Sequence, residues 1–130
     1  MDGAAMLNVL LVALGGGLGA AGRYGVSLAL PAKPGEWPWA TFSINVLGSL
    51  LIGVLAGWLS TRGEAGEPWR LFLGVGMLGG FTTFSAYSLE TLRMVERGEW
   101  PMAIMYALGS VLAGLAAVAI GAEVARRIAV

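Results

Sequence analysis

Four long stretches of this chain carry no charged side chain: Gly3 to Gly22, Trp37 to Thr61, Leu71 to Leu89 and Trp100 to Ala122. Ionisable residues fall between these runs or at their edges. A helix needs about 20 mostly apolar residues to cross the hydrocarbon core of a bilayer. Each run meets or nearly meets that length, and little chain is left for a soluble domain. The reading is one all-α domain over 1–130 with four membrane spans, at about 4–30, 37–60, 70–92 and 100–123.

Composition excludes much of the usual chemistry. Only 12% of residues are charged, against about a quarter in an ordinary soluble domain. There is no cysteine for a disulfide or thiolate metal site, and no histidine for a general base or zinc ligand. Net charge is zero, so there is no bias toward nucleic acid. The first span has no basic n-region and no convincing cleavage site, so it reads as a span and not as a secretory signal. No nucleophile–base pair, catalytic metal cluster or phosphate loop is visible, and an enzyme is not expected.

The basic residues are balanced across the expected topology. Four spans put both termini and the middle loop on one side, with Arg62, Arg70, Arg126 and Arg127. Lys33, Arg93 and Arg97 lie on the other side, with Arg23 at the edge of its span. Orientation follows an imbalance of basic residues between the two sides, and here there is almost none. The reading is insertion in both directions, with two opposed copies forming a two-fold dimer whose axis lies in the membrane plane. Such a dimer presents the same path from either side, which suits a passive conduit.

Individual spans carry finer signals. Gly15 and Gly19 form a GxxxG pair suited to close helix packing. Arg23, at the end of that span, is placed to snorkel to the headgroups or to cap its own helix. All five tryptophans sit at span ends and read as interfacial anchors. In the second span Thr41, Asn45, Ser49, Gly53 and Gly57 recur every four residues along one face. Asn45 must find partners at that depth, either across the bundle or by turning its amide N–H groups, which suit an anion, into a polar path. In the third span Gly79-Gly80 precedes Thr82-Thr83, poor material for a continuous helix. A break there would free carbonyls that must be met by protein, water or a monovalent cation. Phe84 and Tyr87 follow on one face, and ring edges are positive enough to touch a small anion. In the fourth span Tyr106, Ser110 and Gly114 are spaced by four, so the two hydroxyls can extend a track or bond to other helices.

Three blocks then show a wider resemblance: Gly16-Gly17-Leu18-Gly19-Ala20-Ala21-Gly22-Arg23-Tyr24, Thr41-Phe42-Ser43-Ile44-Asn45-Val46-Leu47-Gly48-Ser49 and Gly79-Gly80-Phe81-Thr82-Thr83-Phe84-Ser85. Glu90-Thr91 and Glu96-Arg97-Gly98 follow in register. With these the chain resembles the CrcB/Fluc family of fluoride channels over nearly its whole length. The resemblance implies an antiparallel, dual-topology homodimer with two fluoride pores in the cell membrane. It implies a structural sodium ion at the dimer centre, held by the backbone carbonyls of Gly79 and Thr82 of both subunits. Asn45 maps to a pore residue, Phe84 and Tyr87 to the aromatic box, Tyr106 and Ser110 to the hydroxyl track, and Arg23 to the vestibule. Thr41 and Thr83 join the expected fluoride pore. Two positions depart from the family pattern: Tyr87 stands where phenylalanine is usual, and Gly114 where some relatives have serine.

Two other classes compete. A small dual-topology multidrug transporter shares the size and span count but needs an intramembrane carboxylate, and the acids here sit at span ends or in loops. A non-conducting structural subunit would share the glycines but would not require Asn45 and Phe84.

Overall fold

A computed structural model describes residues 1–128; the last two residues of the expected 1–130 domain lie outside the described residues. Among the described residues, four helices are long and apolar enough to cross a membrane: Gly3–Ala29, Trp39–Leu59, Gly63–Glu96 and Trp100–Ile128.

Helix α1 (Gly3–Ala29) opens on Asp2, whose side chain accepts from the Ala5 N–H at 2.8 Å. That cap satisfies one of the orphan donors of the first turn. The helix stops at Leu30, just before Pro31, because the residue preceding a proline is pushed out of the helical region. The connection turns at Gly35, with φ of 87°, and α2 (Trp39–Leu59) follows Pro38.

The third span is compound. A 3-10 turn (Gly63–Gly66) and a helical turn, α3 (Glu67–Trp69), lead into a π-helical segment, Arg70–Leu78. A further helical turn, α4 (Gly79–Phe81), ends at Thr82. Thr82 and Thr83 are extended, at φ/ψ of −79°/155° and −148°/113°, a conformation that β-branched residues favour. Helix α5 (Phe84–Glu96) then starts afresh, with the Thr83 side chain accepting from the Ala86 N–H. The expected break is therefore present. The wide π segment before it is not signalled by hydropathy, and the loop from Arg62 to Pro68 is more helical than its turn-prone composition implies.

Helix α5 closes on Gly98, with φ of 76°. The Gly98 and Glu99 N–H groups bond back to Val95 and Met94 carbonyls, the pairing of a Schellman cap, which favours glycine at the positive-φ position. Helix α6 (Trp100–Ile128) begins two residues later with Pro101 in its first turn, where a missing N–H costs nothing.

Packing divides the bundle. Helix α1 lies on the first half of the third span, α2 lies on α6, and α5 lies on α6. Glycine makes the two long contacts possible. A methyl group at Gly15 or Gly19 would fall on the Phe72 or Met77 carbonyl, and one at Gly80 on the Gly16 carbonyl. On the other pair, methyls at Gly53 and Gly121 would meet the carbonyls of Val118 and Leu50. These are backbone-to-backbone approaches of the kind small residues permit in membranes.

Three buried side chains, Met94, Ala103 and Tyr106, cluster between α5 and α6 with Trp37, Phe42 and Tyr87 against them. Trp37 is thus more than an interfacial anchor: its ring meets Tyr106 edge-on at 5.4 Å. Most other large apolar side chains face outward, as lipid-facing helices require.

Candidate functional site

The break in the third span redirects backbone hydrogen bonds. The Thr83 N–H turns away from the helix and donates to Asn45 Oδ1 at 2.8 Å, while Asn45 Nδ2 donates to the Thr83 carbonyl at 3.0 Å. In a continuous helix the Thr83 N–H would serve Gly79, so the Gly79 carbonyl loses its helical donor. The Ala86 N–H would serve Thr82 but instead donates to Thr83 Oγ1 at 3.1 Å. Gly79 and Thr82, three residues apart, are therefore both among the carbonyls released by one two-residue interruption. A carbonyl freed at membrane depth needs a donor, water or cation.

Arg23 meets a third carbonyl. Its Nε donates to the Gly80 oxygen at 3.1 Å. This corrects the expectation that Arg23 snorkels or caps its own helix: it crosses from α1 to the broken span. Gly48 on α2 faces the same break, and a methyl there would collide with Thr82 Cγ2.

Asn45, Gly79, Thr82, Thr83, Phe84, Tyr87 and Ser110 are among the residues that line a cavity of about 400 Å³. A carboxamide nitrogen carries two protons, and Thr83 takes one of those on Asn45. Its amide is therefore both the interhelical clasp and a possible donor to the cavity; the two readings of Asn45 are compatible. Ser110 Oγ is shielded from solvent and has no hydrogen-bond partner among the described residues. A buried hydroxyl without a partner is costly, and it marks where a polar guest is wanted. The rings of Phe84 and Tyr87 lie 5.5 Å apart and tilted by 36°, with Phe84 80% exposed on the single chain. The Tyr87 hydroxyl donates to the Ala107 carbonyl at 2.8 Å. Its extra oxygen is thus engaged by α6, leaving the ring beside Phe84.

Thr41 and Tyr106 sit apart from this cavity, on Glu90. Thr41 Oγ1 donates to one carboxylate oxygen and the Tyr106 hydroxyl to the other, the latter at 2.9 Å. Tyr106 is fully buried and Thr41 nearly so. This corrects the reading that every acid lies at a span end or in a loop. Glu90 closes the uncharged run, yet α5 continues to Glu96, and the carboxylate turns inward onto two hydroxyls. Sequence reasoning left Glu90 out of the site. The usable signal was its position one helical turn after Tyr87, on the same face.

Among the described residues no group of His, Cys, Asp and Glu is placed to hold a metal ion. A cation here would depend on backbone carbonyls, and an anion on the amide, the hydroxyls and the ring edges. The cavity lining contains no carboxylate, so a small anion would meet donors without a fixed negative charge.

The chain is similar to known proteins over nearly its whole length. The family model described as CrcB-like protein, Camphor Resistance (CrcB), matches residues 10–122. A protein named fluoride-specific ion channel FluC from Novosphingobium aromaticivorans is 52% identical over 129 residues, covering 95% of this chain and 100% of that one. Proteins of the same name from Phenylobacterium zucineum and Methylobacterium nodulans are 53% and 50% identical, covering 95% and 94% of this chain and 98% of each relative.

Proposed function

From the premise that the chain belongs to the CrcB family, we propose that it is a fluoride-specific ion channel of the cell membrane, giving passive export of cytoplasmic fluoride. It is a membrane channel and not an enzyme. The observation that carries the reading is the break at Thr82 and Thr83. One interruption places amide and hydroxyl donors on a cavity and frees carbonyls beside it.

In this reading fluoride moves past Asn45, Thr83 and Ser110 and along the ring edges of Phe84 and Tyr87. Hydroxyl and amide donors replace part of its hydration. The ring edges touch it without binding it through a full charge, so it can leave. Thr41 and Tyr106 continue the path; each gives its single hydroxyl proton to Glu90, so a passing fluoride takes that proton only when the hydroxyl turns from the carboxylate. Arg23 stands at the vestibule and holds Gly80. No energy source is needed: fluoride trapped inside after entering as HF leaves down its electrochemical gradient.

The carbonyls of Gly79 and Thr82 fit a structural sodium ion. They are neutral oxygen ligands, they lack their helical donors, and Gly79 lies on an exposed edge of the chain. One chain supplies two ligands, so a second copy is needed to complete the set. The even distribution of Arg and Lys favours an antiparallel homodimer, and the exposed Phe84 is available to the opposed copy. A multidrug-type transporter is disfavoured by family membership; Glu90 removes the simpler argument that no carboxylate lies within a span.

Fluoride and chloride release from liposomes holding the purified protein, with sodium present, tests the channel reading. Fast fluoride release with little chloride is expected; no fluoride release contradicts it. Reporter fusions at the C-terminus test dual topology, which predicts signal from both sides of the membrane and is refuted by a single sidedness.

A further inference from the structure

A second cleft, of about 140 Å³, opens where the loop after α1 approaches α5. Its lining includes Lys33, Pro34, Glu36, Glu90, Arg93 and Arg97. Glu90 forms its inner end and also holds Thr41 and Tyr106, so the cleft meets the hydroxyl track from outside. Tyr106 in turn lies 5.4 Å, ring to ring, from Tyr87, which lines the main cavity. A run of contacting side chains, Tyr87, Tyr106 and Glu90, therefore lies between the two cavities.

This arrangement poses an electrostatic problem for an anion path. Glu90 is an acid at the inner end of a small mouth, and Glu36 is a second acid on the rim. Against them stand three basic residues. Arg97 is engaged with Glu99. Lys33 and Arg93 have no ion-pair partner among the described residues. Their charges remain free to act on whatever enters the cleft.

We propose that Lys33 and Arg93 keep this cleft open to anions at the end of the pore, because their two charges balance Glu90 and Glu36, which would otherwise repel fluoride. The inference rests on the fluoride-channel reading and deepens it. A cleft with walls of low dielectric focuses the field of such charges, and steering of this kind is screened by salt. The effect belongs to capture, so it shows at low fluoride concentration, where arrival of the ion limits the rate. The Debye length is about 30 Å at 0.01 M salt and about 3 Å at 1 M, so the effect of removing either the basic pair or an acid is felt at low ionic strength and screened at high.

The test is initial fluoride flux in liposomes of zwitterionic lipid, at low and high concentrations of an impermeant salt. At low salt the double variant Lys33→Gln/Arg93→Gln is expected to be about fivefold slower than wild type, at the modest end of electrostatic steering. Glu36→Gln removes an opposing charge from the exposed rim and is expected to be faster than wild type. Both differences should shrink toward none at high salt. Opposite signs cannot arise from damage to folding, which slows flux in both variants. Equal slowing at both salt concentrations, or unchanged flux at low salt, overturns the proposal. So does a difference that appears only with anionic lipid, because the basic pair would then be holding lipid headgroups. A wild-type protein that releases no fluoride at any salt concentration defeats the channel reading itself, which is a distinct outcome.

Discussion

The two halves of the third span are built on different principles. Before the break, Arg70–Leu78 and α4 are set by absence: Gly76 and Gly80 remove side chains so that backbone meets backbone on α1, and Gly74 leaves room for Leu55 and Ile52 of α2. After the break, α5 is set by presence: Thr83, Tyr87 and Glu90 each make a directed hydrogen bond to α2, α6 or the chain's own cap. The first half fixes where the span lies. The second fixes which polar atoms face inward. The extended pair Thr82 and Thr83 is the seam, and Asn45 grips it from α2 by both the N–H and the carbonyl of Thr83.

This contrast predicts that bulk breaks the first half and polarity alters the second. The largest effect belongs to Gly19→Leu, whose first carbon would fall on the Met77 carbonyl and close to the Phe81 nitrogen. A loss of about 3 kcal/mol is expected, the upper part of the usual range for overpacking. Thermal unfolding in detergent measures it. Gly25→Ala on the same helix has nothing within 4 Å of the new carbon and should leave the melting temperature unchanged or raised. Similar losses from both would show that α1 does not pack through its glycine face.

Glu90→Gln probes the second half. A carboxylate accepts from both Thr41 and Tyr106, whereas a carboxamide has one accepting oxygen and an N–H₂ that donates. One hydroxyl must turn or lose its partner, at about 1–2 kcal/mol. The same thermal assay reads this change. Full stability in the variant would mean that the two hydroxyls do not depend on the carboxylate.

Tyr87→Phe should have the smallest effect. It removes one hydrogen bond, to the Ala107 carbonyl, and keeps the ring beside Phe84. About 0.5–1.5 kcal/mol of stability is expected to go, with fluoride flux retained. A collapse of flux with little loss of stability would place the hydroxyl in the ion path and not on α6.

The same contrast explains what could be read from sequence. The four apolar helices follow from the uncharged runs, because hydrocarbon tolerates few charges wherever the helix sits. The break follows from Gly79-Gly80 and Thr82-Thr83, because both pairs disfavour a helix locally. The π segment was not legible: Arg70–Leu78 reads as an ordinary apolar helix, and its packing on α1 is a contact between distant parts of the chain. Arg23 and Glu90 were misread for a shared reason. Arg23 pairs with Gly80, 57 residues on, and Glu90 with Thr41, 49 residues back. Proximity to the edge of an uncharged run describes neither partner. Asn45 was legible as a group needing partners, but only the fold shows that Thr83 takes one of its amide protons and leaves the other.

The most direct test of the central claim, that the anion passes the clasp between α2 and the broken span, is fluoride efflux through Asn45→Asp compared with wild type in the same liposomes. The aspartate keeps an acceptor for the Thr83 N–H, loses the donor to the Thr83 carbonyl and places a negative charge at the cavity. Efflux is expected to fall at least about tenfold, equivalent to about 1.4 kcal/mol, in protein that elutes and melts like a folded channel. Wild-type efflux from that folded variant would put the fluoride path elsewhere in the molecule.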